Sequence, residues 1–347
     1  MAEPDRVELK VGGRLFSSWT EVSVDRGIAN PAGAFALTYA EKTGAGAAPE
    51  GIRAGMVCEV LIGGETVING HVDVAAHAFD AERRTLTVSG RDRTADLVDC
   101  SALNSPGVWR GRTMAQIARD LIAPFGLAVD VRADAGAPFK AFAIQQGETV
   151  WEAIERLARF RGLLAVATPA GGVAFIRPGQ RRAGFDLRQG ETLLAANADH
   201  DQSQRFSRYV VKGQSAGDDD VNGEAAAGPR GEAADPTIAR HRPLLVVAEE
   251  QATLASLRAR AGWEASMRAA EGERVSLTVQ GWRDPLGAIW AADLVVPVTA
   301  PWIDVAGDQL IADVSFRLDA DTGSTTVLSC SPPDAFRPEP PAAEASR

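Results

Sequence analysis

From Val7 to Val98 apolar residues recur at every second position, as in Val7-Glu8-Leu9-Lys10-Val11, Val22-Ser23-Val24 and Phe35-Ala36-Leu37-Thr38-Tyr39. A period of two sends alternate side chains to opposite faces of an extended chain, so each run predicts a half-buried strand. The pattern continues through Val57–Ile62, Thr66–Val74 and Thr85–Ser89, with turns at Gly12-Gly13, Gly63-Gly64 and Asp80-Ala81-Glu82. About six short antiparallel strands predict a small barrel or sandwich over residues 1–99.

After Cys100 the period changes. Thr113-Met114-Ala115-Gln116 and Thr149-Val150-Trp151-Glu152 each place a hydroxyl three residues before an amide or carboxylate, the pattern of a capping box. The helices they predict carry Met114, Ile117, Ala118 and Leu121 up to Pro124, and Val150, Ile154, Leu157 and Ala158 up to Gly162. Leu163–Val166 and Val173–Ile176 flank Gly171-Gly172 as a hairpin, so residues 100–190 read as a small α+β domain.

Strands return over residues 191–330, with Phe206–Lys212 the clearest, then Val275–Val279, Leu294–Val298, Leu310–Leu318 and Thr325–Cys330. Between them Gln214–Pro236 is dominated by Gly, Ala, Asp and Glu, which predicts a mobile loop over residues 214–236, and Glu249–Glu271 predicts a long helix. The Pro- and Ala-rich tail, 331–347, reads as extended or disordered. Val72–Ser89 with its turn Phe79-Asp80-Ala81-Glu82 parallels Ile311–Ser329 with Leu318-Asp319-Ala320-Asp321, which suggests either a duplicated β domain or two unrelated hairpins. The fold class expected is α+β multidomain, with two β barrels flanking a small α+β domain.

At 347 residues, 45% hydrophobic and 24% charged, the chain can bury several cores. Its formal charge of -10 argues against a specific nucleic-acid partner. Charge is unevenly spread: residues 1–100 hold 10 basic and 15 acidic groups, residues 101–200 hold 12 and 9, and residues 201–347 hold 14 and 22. A basic middle between acidic β regions predicts different partners for each. Arg156, Arg159 and Arg161 are the candidate contacts to an acidic partner surface, against the ordinary reading of a solvated helix face. Met1–Lys10 lacks a basic start and an apolar stretch, and no run reaches bilayer length, so a cytoplasmic protein without a membrane span is expected until assembly.

Candidate chemistry is thin. Cys58, Cys100 and Cys330 are odd in number and far apart, suggesting neither a disulfide framework nor a metal site. Gly213-Gln214-Ser215-Ala216-Gly217 fits the nucleophile-elbow pattern, yet Asp218-Asp219-Asp220 and a loop follow where a helix should supply the oxyanion amides. Asp218-Asp219-Asp220-Val221-Asn222-Gly223 begins like a calcium loop, but Pro229 stands where a bidentate Glu is needed. Among His71, His77, His200 and His241 only the first pair is spaced to share a strand face, and no third ligand is evident. No catalytic, metal or cofactor-binding residue is therefore assigned. Gln145-Gln146-Gly147-Glu148-Thr149-Val150-Trp151-Glu152 resembles the start of a LysM module, which implies a peptidoglycan-binding module or part of a cell-wall hydrolase as the alternative function.

Several stretches together resemble the Mu-type phage baseplate hub family. They are Val7–Gly13 leading to Trp19, Ala32-Gly33-Ala34-Phe35, Ile68–Asp73, and Ser89-Gly90-Arg91-Asp92-Arg93-Thr94-Ala95-Asp96-Leu97-Val98-Asp99-Cys100-Ser101-Ala102. Gln146–Thr149, Arg156–Gly162 and Arg208-Tyr209-Val210-Val211-Lys212-Gly213-Gln214-Ser215 follow in order. The resemblance implies a non-enzymatic structural protein in the baseplate of a contractile tail. It implies a homotrimer ring whose two tube-like β domains per chain meet the tail tube protein above and the central spike protein below, with a tape-measure protein as a further candidate partner. An acidic lumen that repels DNA is expected from charge alone. Ser215→Ala is predicted to leave folding and assembly intact; ester or glycan turnover lost in that variant would overturn the non-enzymatic reading.

Overall fold

The structure is a computed structural model, and it describes residues 6–42, 51–213, 229–248 and 253–340. The loop expected at 214–236 and the Ser215 and Asp218–Gly223 motifs lie, except for residues 229–236, outside the described residues. The alternating runs form the strands Val7–Val11, Arg14–Phe16, Glu21–Gly27, Ala34–Lys42, Val57–Ile62, Glu65–Phe79 and Arg83–Asp92. Their inward positions, Leu9, Val24, Leu37, Val60, Ile68 and Val88, are fully buried.

The two β regions do not close into separate barrels. Both belong to one 13-stranded sheet, in which Val305–Asp319 pairs with Glu21–Gly27 in antiparallel register, Asp313 facing Gly27 and Leu318 facing Val22. One core, from Val7 and Leu37 to Leu277 and Leu328, runs through both. Long-range edge pairing leaves no local signature in the sequence, so the expectation of two barrels is corrected here to one mostly β sheet, open among the described residues.

Strand order repeats within that sheet. Glu21–Gly27, Ala34–Lys42, Arg83–Asp92, Glu65–Phe79 and Val57–Ile62 are neighbours in the first half; Ala195–His200, Glu273–Gln280, Gly323–Ser331, Val305–Asp319 and Leu294–Ala300 are neighbours in the same order in the second. Both 15-residue strands bulge at an equivalent place, and Glu65–Phe79 bulges again at Val67, against Val57–Ile62. The register of Glu65–Phe79 skips Asp73, between Val72 facing Gly90 and Val74 facing Ser89. That of Val305–Asp319 skips Ala312, between Ile311 facing Cys330 and Asp313 facing Ser329. An extra residue bends a strand and lets it serve one neighbour before the bulge and another after it. The turns agree as well: Asp80 Oδ1 accepts from the amides of Glu82 and Arg83 at 2.8 and 2.7 Å, and Asp319 Oδ1 from those of Asp321 and Thr322 at 2.9 and 2.7 Å.

Between the halves, the helices Met114–Ile122 and Val150–Arg159 both start on the expected capping boxes, with Thr113 and Thr149 accepting at 3.3 and 3.2 Å. They pack in a separate core with Leu97, Phe142, Leu163 and Phe175. Arg208–Lys212, Arg230–Ala234 and Pro243–Val247 form their own three-stranded sheet under the helix Leu254–Glu271, outside the large sheet and not part of the single β barrel expected over 191–330, and the end of the loop expected at 214–236 is a strand. The residues to Pro340 are an ordered strap where a disordered tail was expected. Phe336 packs on a small core with Ile28, Ile176 and Leu310, and the Trp263 indole donates to the Arg337 carbonyl at 2.6 Å. No helix among the described residues is long and apolar enough to cross a membrane.

Close strand approach excludes a side chain at several glycines, Gly70 among them. A Cβ on Gly70 would sit 1.9 Å from the Arg91 carbonyl oxygen, whereas one on Gly262, inside the long helix, meets nothing within 4 Å. Gly70→Ala is predicted to lower stability by about 3 kcal/mol and Gly262→Ala to raise it by about 1 kcal/mol, read from urea unfolding midpoints.

Candidate assembly surfaces

Besides the short outer strands Arg14–Phe16 and Leu187–Arg188, the duplicated sheet leaves two longer stretches of edge unpaired among the described residues. Leu310 is bonded to Val295 on one side and Ser331 on the other, so Leu294–Ala300 and Glu21–Gly27 lie in succession along one edge of Val305–Asp319. In the first half Gly70 is likewise flanked by Cys58 and Asp92. Beyond Val57–Ile62, however, the edge of Val74–Phe79 has no neighbour among the described residues. The other open edge is Ala195–His200, which pairs only with Glu273–Gln280. Both edges are rich in Ala, with His77 on one and Asn197, Asp199 and His200 on the other, and neither carries a Lys or Pro to block pairing. Val74 is 51% and Phe79 84% exposed, whereas their counterparts in the joined half, Asp313 and Leu318, are half-buried.

The sheet face away from the core is built of small groups. Ala36, Thr38, Ala40, Thr85, Thr87 and Ser89 share it with Ser276, Thr278, Thr325, Val327 and Ser329. Its carboxylates include Glu8, Glu21, Asp25, Glu59, Asp199, Asp308 and Asp313 and its cations Lys10, Lys42, Arg83, Arg91, Arg274 and Arg317; Lys10 pairs with Glu59 at 3.0 Å and Arg317 bonds Asp25 at 2.6 Å. The formal acidity of the β regions is therefore not concentrated on this face.

The three arginines expected to meet a partner are not equivalent. Arg156 donates to Glu148 at 2.8 Å and to the Ala143 carbonyl at 2.8 Å, and lies 4.4 Å over the Phe142 ring. Arg161 donates to the Ala137 carbonyl and stacks 4.0 Å over Phe139. Both are turned into their own domain. Arg159 is exposed and its side chain forms no hydrogen bond or ion pair among the described residues.

His71 and His77, expected on one face by a period of two, lie on opposite faces. The bulge at Asp73 takes up one residue, so His71 faces Arg91 away from the core and His77 faces Leu86 on the core side. His200 sits on the open edge, bonded to the Ile303 carbonyl at 3.0 Å and to Glu273, and these two acceptors raise its pKa. Burial pushes the Cys58 thiol up to about 12, as expected of an inert interior thiol; Cys330 is raised by the same cause, while Cys100 is exposed. No group of three or more metal-ligating side chains occurs among the described residues.

The block Gly90–Ala102 is a polar joint between the large sheet and the helical domain. Asp92, 2% exposed, accepts from the amides of Gly33 and Thr94 at 2.7 and 3.0 Å, and burial holds its carboxyl above the usual range. Arg91 grips Asp99 and Asp73 at 2.8 and 3.0 Å, and Arg93 donates to the Phe125 carbonyl at 3.0 Å.

Family matches follow these structural units along the chain. Residues 6–92 match the Mu phage baseplate assembly protein GpP-like N-terminal domain, 94–177 the baseplate hub protein gp44-like second domain, 205–262 the tail protein NMB1110-like third domain, and 253–339 the GpP fourth domain. The chain is 35% identical over 338 residues to baseplate hub protein gp44 of Escherichia phage Mu, covering 95% of this chain and 88% of gp44. It belongs to the Mu-type phage baseplate hub family. Among solved structures, the 43 kDa tail protein of prophage MuSo2 from Shewanella oneidensis is 36% identical with a TM-score of 0.86, over 96% of this chain and 99% of that one. A tail protein from Neisseria meningitidis MC58 is 25% identical with a TM-score of 0.79, over 97% and 99%.

Within a hub-family chain the arginines have separable roles. Arg156→Ala is predicted to lower stability by about 2 kcal/mol by leaving the Glu148 carboxylate half-buried without its partner, while Arg159→Ala stays within about 0.5 kcal/mol. Equal losses in thermal unfolding would show that this division is wrong.

Proposed function

We propose that this chain is a non-enzymatic baseplate hub that closes into a homotrimeric ring, with the tail tube on one side and the central spike on the other. The observation that carries the ring is the junction inside the chain. Asp313–Leu318 and Val22–Gly27 join the first half to the second, and their counterparts, Val74–Phe79 and Ala196–Asp201, are the two open edges. An edge pair that is complementary but not self-matching joins copies head to tail and closes when the rotation allows. Three copies give six β units, which reconciles a sixfold tube with a threefold spike.

Copying the internal register sets the contact between copies: Ala75 faces His200, His77 faces Ala198 and Phe79 faces Ala196 of the next copy. The small, nearly neutral face away from the core lines the bore. Such a wall neither binds nor repels a passing polyanion strongly, and this replaces an acidic lumen. Arg159 is left as the cation of the capped helix that meets an acidic partner surface. The virion tail is the location this role requires, with assembly in the host cytoplasm and a tape-measure protein as a transient neighbour. The Gly147-Glu148-Thr149 segment, which resembles the opening of a LysM module, caps the helix Val150–Arg159 and holds the Arg156 ion pair.

His77→Cys combined with Ala198→Cys, in a Cys100→Ser background, is predicted to give covalent trimers with a short bis-maleimide, while either single cysteine gives monomer only. Absence of the crosslink together with a monomeric mass at high concentration would sink the ring.

A further inference from the structure

The two ends of the large sheet differ in a way that separates threefold from sixfold features. At one end the register brings together Gly27, Asp92, His200 and Ser331, and every large excursion of the chain leaves from here. The helical domain follows Asp92, the three-stranded sheet with its helix follows His200, and the C-terminal strap follows Ser331. The two halves are unlike at this end. Residues 28–33 make a short turn in the first half, where 201–272 make a whole subdomain in the second.

At the opposite end, where the chain also leaves after Lys42 and after Gln280, the halves share one feature. Each contributes a tight hairpin with the same order of residues, apolar, Asp, Ala, acid: Phe79-Asp80-Ala81-Glu82 and Leu318-Asp319-Ala320-Asp321. Asp80 and Asp319 use a carboxylate oxygen to cap their own turns, as the paired amide bonds above describe. Glu82 and Asp321 are exposed and form no hydrogen bond or ion pair through their side chains among the described residues.

We infer that the twinned hairpin end is the docking face for the tail tube, with Glu82 and Asp321 as its contact residues, and that the opposite end faces the threefold spike. This rests on the trimeric ring proposed above. A feature present twice per chain appears six times in the ring and suits a sixfold partner; a feature present once appears three times and suits a threefold one. The partner chemistry is a sixfold ring that offers a cation or an N–H donor at each of six positions, because a carboxylate at the third place of the tip is what the two hairpins share.

The test uses the full chain and the tail tube protein encoded with it, assembled into tubes. Native mass is scored first, then co-sedimentation with the tubes at low and high salt. Glu82→Lys with Asp321→Lys should leave the trimer intact and weaken tube binding at least tenfold at low salt. Asp96→Lys, an exposed reversal at the other end, should leave it unchanged. Unchanged binding by the double variant, loss of binding with Asp96→Lys, or a wild-type trimer that does not bind tubes would each overturn the assignment while leaving the ring standing. A monomeric wild type would remove the ring and this inference together.

Discussion

The pairing of Val22–Gly27 with Asp313–Leu318 is the constraint on which the rest of the molecule depends. It brings together strands nearly three hundred residues apart, and the loop-closure entropy this demands grows only slowly with length. Burial offsets that cost: the junction lets Val24 and Phe316 share one core with Leu37, Leu277 and Leu328. Polar contacts then hold the register, because Asp25 accepts from Arg317 and Ser315 across the seam and from Ser23 on its own strand. A slip of one residue would turn Val314 and Phe316 to the far face and send Asp313 and Arg317 into the core. Gly27 is needed for the same reason, since the Asp313 carboxylate occupies the space a Cβ would take.

The seam explains the placement of everything else. Bulges at Asp73 and Ala312 bend each long strand, so that one part completes the half's own sheet and the other presents an edge. In one half that edge is filled from within the chain, and in the other it is left open. The inserted domains leave from the bulged end, where Asp92 ties the sheet to Gly33 and Thr94 before the chain enters the helices. The strap crosses back at that end, with Phe336 against Ile176 and Leu310 and with Glu339 against Arg260. Glu264, 3% exposed, is held by Arg260 and Arg268 at 3.0 and 2.9 Å, so the helix under the strap buries a carboxylate that is fully partnered.

Local features were legible in the sequence because their causes are local. Thr113 and Gln116, Thr149 and Glu152, and the twin turns at Asp80 and Asp319 are each decided within four residues. The alternation of Val7–Val98 likewise reports burial one strand at a time. What it could not report is which edge meets which, so one shared sheet was read as two barrels. The bulge at Asp73 also escaped the period-two argument and separated His71 from His77. Arg156 was read as a surface cation because Glu148 lies before the helix, at no helical spacing from it, and only folding brings the pair to 2.8 Å. Phe336 was the one available sign that the Pro-rich tail would be ordered, a single large apolar residue in a segment otherwise composed like a linker.

Charge shows why composition alone misplaces electrostatic function. Both β regions are acidic by count, and from that count an acidic bore follows. Yet the sheet has two faces and two ends, and the carboxylates are not shared equally among them. On the face away from the core, guanidiniums offset the acids and hydroxyl and methyl groups fill the rest. Exposed acids that lack such partners, Glu82 and Asp321, stand at the hairpin tips instead. A surface charge acts within about 10 Å at ordinary ionic strength. Acids at the tips therefore act mainly at the end of the sheet and contribute little along its face. A protein that must hold one partner firmly and let another slide past gains from that separation, because the same net charge can then serve recognition at the rim while the wall stays indifferent.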